Sequence, residues 1–185
     1  AWGGLVLHDV TNLKHARKAA EAGVDGLILV AAGAGGHAGT TSPFALMAEV
    51  RDWFDGLVLL AGSLSSGSDV LAARAMGADL AYVGTRFIAT AESGASGDYK
   101  DMIVDAGAGD IVHTPSVSTI PANFLRASLE AAGYDLTVAP GAVDLGHLTA
   151  PTEADAKAWR DIWSAGHGVA SIEDVPTVAD LVDRL

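Results

Sequence analysis

Four short, nearly unbroken apolar runs, Leu5 to Val10, Leu27 to Val30, Leu57 to Ala61 and Leu80 to Val83, limit what this chain can become. A strand open to water on one face alternates polar and apolar residues, whereas an unalternating run is covered on both faces and is usually parallel to its neighbours. Helical segments lie between the runs. Leu13 to Ala22 follows the cap candidates Thr11 and Asn12 and stops at Gly23, and Ser68 to Met76 stops at Gly77. The segment Ala19 to Asp25 resembles Ala73 to Asp79, each ending a helix at a glycine and turning into an apolar strand. Asp25 and Asp79 are therefore expected to cap the turn at the amino end of a strand, the end of a βα barrel that carries stability rather than catalysis.

After Phe87 the texture changes, and residues 91–156 read as an inserted helical subdomain between a βα portion, residues 1–90, and closing helices, residues 157–185. Helices are expected at Tyr99 to Asp105 and at Ala122 to Ala132, the latter with Phe124, Leu125 and Leu129 on one face before Gly133. Thr152 to Asp155 marks a helix start for a segment carrying Trp159 and Trp163, spaced as core or interface anchors. Val178, Leu181, Val182 and Leu185 form the stripe of a helix packed on a sheet.

Of the 185 residues half are hydrophobic, enough for a core that stands without staples, and 23 acidic against 11 basic residues give a net charge of -12. That sign opposes binding to nucleic acid or to an anionic membrane surface. Without cysteine there is no thiolate nucleophile and no Cys-based metal site, which fits a reducing, cytoplasmic setting. No run approaches the ~20 apolar residues of a membrane span. The start Ala1-Trp2-Gly3-Gly4 suggests a fragment or a processed chain.

Three loops each follow a strand, the edge where α/β folds place their ligands. In Gly33-Ala34-Gly35-Gly36-His37-Ala38-Gly39, glycines let backbone approach a flat ligand while one imidazole, His37, can exchange a proton near neutral pH. Ala61-Gly62-Ser63-Leu64-Ser65-Ser66-Gly67 and Gly84-Thr85-Arg86-Phe87 are small and rich in donors. Together they make an anion cradle from backbone dipoles, a helix amino terminus and one nearby cation such as Arg86. No P-loop lysine is present, so nucleoside triphosphate hydrolysis is not indicated. His8, His15, His113 and His147 lack metal-ligand spacing, and no metal site is expected. His167, between Gly166 and Gly168, reads as a structural loop residue.

In this order, Gly35-Gly36-His37-Ala38-Gly39, Ala61-Gly62-Ser63, Gly77 to Thr90, Pro121-Ala122-Asn123-Phe124-Leu125 and Trp163-Ser164-Ala165-Gly166 resemble the nitronate monooxygenases, formerly 2-nitropropane dioxygenases, across the whole chain. The resemblance implies a TIM (β/α)8 barrel that binds FMN, has a helical insertion after its last strand, and oxidises alkyl nitronates such as propionate 3-nitronate with O2 to a carbonyl compound and nitrite, a nitroalkane detoxification. By position His37 matches the family's active-site histidine. Gly35 and Gly36 lie in its flavin-facing loop, and Gly62, Ser63, Gly84 and Thr85 match the loops that bind the FMN phosphate. Four strands, and no counterpart of the family's amino-terminal Gly-rich segment, point to the second half of the barrel, with an N-terminal half-barrel segment or chain as its partner. The family often has Glu at Ala34 and Gln at His167, positions that bear on substrate choice. Two alternatives stand beside this reading: a flavin-dependent enoyl-acyl-carrier-protein reductase, and a catalytically incomplete half-barrel that binds phosphate ligands.

Overall fold

A computed structural model of the chain describes residues 3–117, 120–136 and 161–185. Strands β1 (Leu7–Val10), β2 (Gly26–Val30), β4 (Leu57–Ala61) and β5 (Leu80–Tyr82) form a parallel sheet in the order β1-β2-β4-β5. The four apolar runs are thus the four strands. Pairing begins at Leu7, and Leu5 and Val6 before it stay 74% and 56% exposed. Helices α1 (Leu13–Glu21), α2 (Pro43–Arg51) and α3 (Gly67–Ala75) make the crossovers. They cover one face, where Leu27, Leu29, Val58 and Leu60 pack with Ala16, Met47 and Val50 in the main core. The opposite face carries Ile28, Leu59 and Ala61. By register Leu7, Leu80 and Tyr82 belong to this second face, yet they are 37%, 53% and 49% exposed.

Local chemistry explains the helix ends. The Asn12 side chain accepts the His15 N–H at the start of α1, and left-handed glycines, Gly23 at φ +83° and Gly77 at φ +101°, reverse the chain after α1 and α3. The two repeated aspartates then act as expected. Asp25 accepts the Val6 N–H at 2.7 Å, and Asp79 accepts the Val58 N–H at 2.8 Å and an Arg51 N–H at 2.5 Å. The Val58 N–H first, and the Arg51 guanidinium after it, hold the Asp79 carboxyl below its ordinary 3.8. Its stabilisation is therefore complete above the unfolded value and fades as pH falls through the lower folded one. Asp79→Asn is expected to cost about 1 kcal/mol at pH 7 in urea unfolding, and less as pH falls through the lowered folded value, where the native carboxylate itself protonates.

A second sheet, absent from the sequence reading, joins β3 (Gly36–His37), β7 (Ala122–Leu125) and β6 (Ile111–Thr114) in antiparallel order β3-β7-β6. Between the sheets in sequence come α4 (Thr85–Ile88) and α5 (Gly97–Asp105), the latter matching the expected helix from Tyr99. Ala122 to Leu125 is strand, however, and α6 (Arg126–Ala131) starts only after it, so the helix expected from Ala122 is corrected and the insertion is not purely helical. All four strand residues are buried, and such short apolar runs carry no decisive period. Tertiary pairing decides: Leu125 donates its N–H to the Trp163 carbonyl, and β6 takes the other edge.

Trp163 stacks on Tyr99 with ring centroids 4.9 Å apart, an anchor of the second core as expected. In α7 (Val178–Arg184) Leu181 is buried while Val182 is 56% exposed, so only part of the stripe meets the protein. Thr152 to Asp155, Trp159, His147 and the 156/157 boundary lie outside the described residues. Among the described residues no helix is long and apolar enough to cross a membrane.

Candidate active site

At the carboxyl rim of the parallel sheet the loops after β2, β4 and β5 converge on a cavity of about 330 Å³. His37, Gly35, Gly62, Ser63, Gly84 and Thr85 all line it, together with Asp9, Tyr82, Ser164, Gly166 and Gly168. Six of the seven site residues expected from the sequence thus line the cavity; Gly36, the seventh, does not, but pairs in β3 beside His37.

Close backbone approach builds the rim. Gly33 stands at φ +87°, and a methyl there would fall 3.0 Å from His167 Nδ1 and against Ser63 Oγ. Its carbonyl accepts the N–H of both Ser63, at 3.2 Å, and His167, at 2.9 Å, which clasps three loops at one oxygen. His167, the first residue of the 3-10 turn His167–Ser171 rather than of an open loop, is held here through its backbone N–H. Ser63, at φ +59°, is the one non-glycine residue in the left-handed region among the described residues, and with its N–H on Gly33 its hydroxyl remains to meet an anion.

The anion cradle differs from the sequence expectation in two ways. The amino terminus of α3 already holds an anion, because the Asp69 carboxylate accepts the N–H groups of Ser65 and Ser66 and the Ser66 hydroxyl. Arg86 is not the nearby cation. It is 4% exposed, donates to the carbonyls of Ala89 and Asp174 and to Asp174 Oδ1 at 2.6 Å, and does not line the cavity. A guanidinium this buried needs a carboxylate, and Asp174 supplies it from the segment before α7. What remains is the α4 side: no side chain caps that helix, and Thr85 Oγ1 accepts the Gly166 N–H at 3.1 Å with its own proton left to donate.

Gly84 has φ -108°, open to any residue, and a methyl added there would meet nothing within 4 Å. The fold does not require glycine at this position. His37 reaches solvent on one side, and the protein around the ring depresses its pKa below 6.5 by desolvation. At pH 7 it is therefore neutral, able to accept a proton at one nitrogen while donating from the other. Of the other described histidines, His8, His15, His113 and His167 do not line the cavity, and among the described residues no cluster of His and carboxylates could hold a metal. Asp9 and Tyr82, which the sequence reading missed, lie at the ligand-edge ends of β1 and β5, Asp9 one residue before the last of its strand and Tyr82 last; that position was the available signal.

The chain is an α/β protein with a parallel sheet and a cavity at its carboxyl rim, and solved structures share this fold. It superimposes on FabK from Thermotoga maritima with a TM-score of 0.77 at 26% identity, covering 98% of this chain and 60% of that one. Against nitroalkane oxidase from Streptomyces ansochromogenes the TM-score is 0.76 at 32% identity, covering 98% and 56%. Residues 2–185 match the profile of the nitronate monooxygenase family, and the chain belongs to that family. A nitronate monooxygenase from Paraburkholderia phytofirmans is 29% identical over 97% of this chain and 53% of its own length. A (3aS,4S,5R,7aS)-5-hydroxy-7a-methyl-1-oxo-octahydro-1H-indene-4-carboxyl-CoA dehydrogenase from Mycobacterium tuberculosis is 33% identical over 69% of this chain and 37% of its length. The chain thus spans about half, or less, of the length of the curated relatives it matches.

Proposed function

We propose that this chain is the catalytic and phosphate-gripping portion of an FMN-dependent enzyme that oxidises alkyl nitronates, such as propionate 3-nitronate, with O2 to a carbonyl compound and nitrite. The observation that carries the reading is one cavity lined both by His37 and by the loops Gly62-Ser63 and Gly84-Thr85. The residues fit the cofactor. Space opens over Gly84, α4 has no side-chain cap, and Ser65, whose Oγ is buried without a partner among the described residues, also lines the cavity. Ser63 and Thr85 would hold the phosphate by their hydroxyls and Gly62 and Gly84 by close backbone approach, with Gly35 and Gly36 beside the ring.

FMN, when bound, supplies the electron acceptor. His37 supplies placement and proton chemistry. A neutral imidazole orients a nitronate by donating an N–H to its oxygen, and takes the α-proton when a neutral nitroalkane is offered. The exposed Leu7, Leu80 and Tyr82 on the second sheet face support a half-barrel that needs an N-terminal half-barrel segment or chain to cover it. A cytoplasmic setting belongs to the same reading.

The test is an absorption spectrum of the purified chain followed by anaerobic mixing. A flavin spectrum bleached by propionate 3-nitronate supports the proposal. Bleaching by NADH alone favours an enoyl-acyl-carrier-protein reductase, and protein that stays colourless with added FMN favours a half-barrel that binds other phosphate ligands.

A further inference from the structure

The segment Pro121 to Leu125 supplies no residue of the cavity lining, yet it reaches the loop of His37. Asn123, in β7, is 3% exposed, and its Nδ2 donates to the Ala34 carbonyl at 2.6 Å. A carbonyl only accepts, so this contact fixes which end of the amide faces the loop. Oδ1 then faces His113 Nδ1 at 2.9 Å, and because Oδ1 also only accepts, the proton of His113 resides on Nδ1. Charging His113 adds a proton at Nε2 and leaves this hydrogen bond in place.

The backbone repeats the connection. In the β3-β7 ladder Asn123 lies opposite Gly36 and Ala122 opposite His37. That ladder is only two residues long, and Gly36 itself stands at φ +68°, a conformation that does not extend the loop by its own preference. The Ala34 peptide precedes this turn and is the point at which a side chain from outside can hold the loop. We infer that Asn123 is the positioning residue of His37, and that His113 acts one step behind it by locking the Asn123 amide in the orientation the loop requires. The inference deepens the proposed function, since it rests on His37 being the reacting group.

The experiment follows the ring signals of the histidines by NMR in the chain without added flavin, as pH is lowered from 8 to 5. His8 and His15, outside the cavity, serve as references, and Asp9 and Tyr82, the other titratable groups of the cavity, are unchanged in every variant. In the wild type His37 titrates below the ordinary imidazole value. Asn123→Ala is expected to move its midpoint upward toward that value, because the freed loop turns the ring to water. His113→Leu, at an exposed position, is expected to do the same, whereas His113→Asn, which keeps an N–H where Nδ1 lies, restores the wild-type curve.

Curves for Asn123→Ala and His113→Leu that superimpose on the wild type overturn the inference, as does His113→Asn behaving like His113→Leu. If Asn123→Ala does not fold, the two His113 variants decide alone. A midpoint that moves as expected in protein without nitronate turnover removes the functional reading and leaves the positioning role. Turnover with an unmoved midpoint does the reverse.

Discussion

His37→Ala is expected to lower turnover of propionate 3-nitronate by roughly 10²-fold or more while FMN stays bound. The loss has a physical source. His37 is the imidazole of the cavity, and the surrounding protein holds its pKa below 6.5, so near neutrality it carries no charge. A positive ring could donate to the anion but could not accept a proton; a neutral one can donate and also accept the α-proton of a nitroalkane. Two measurements check this. In the wild type the acid limb of kcat/KM for a neutral nitroalkane falls below pH 6.5, because protonation through the depressed pKa removes the base, and this limb disappears in the variant. Turnover unchanged by the substitution excludes His37 from the chemistry.

The second large effect is expected at Gly84. Gly84→Asp should leave the protein folded but unable to keep FMN, with affinity reduced by about 100-fold or more, since a carboxylate about 4 Å from a phosphate opposes it strongly in a partly enclosed site. The folding half of the prediction follows from geometry: φ is -108° and no atom lies within 4 Å of the added carbon. Gly84→Ala is the control and should keep most of the flavin. Measured by flavin fluorescence on dilution and by thermal unfolding, wild-type affinity in the folded Gly84→Asp protein would reject the cradle.

The sequence made some of this legible and left some dark, for reasons that divide cleanly. Strands covered on both faces announce themselves as apolar runs, so β1, β2, β4 and β5 were readable. So were the ends of α1 and α3, where a left-handed glycine follows the last helical turn. The ligand-edge loops could be found because strand ends are ligand edges in α/β folds. The β3-β7-β6 sheet could not be found, because β3 is two residues of a Gly-rich loop and Ala122 to Leu125 is apolar without alternation. Its pairing is decided 85 and 87 positions away, by residues opposite it in space.

Arg86 shows a further limit. A cation beside a donor-rich loop reads as an anion ligand, and nothing local reveals Asp174, which lies 88 positions downstream. Asn123 escaped for the opposite reason: its two partners, Ala34 and His113, belong to segments that only the fold brings side by side.

The paired aspartates have a consequence for how such a chain can change. Asp25 and Asp79 tie strands together at the far end from the cavity, so rigidity and chemistry occupy opposite rims. Variant libraries aimed at new substrates can therefore be confined to the upper loops without touching the ties below. Thermostabilising changes can be sought around Arg51 and Val58 with little risk to turnover, because the two properties draw on separate sets of atoms.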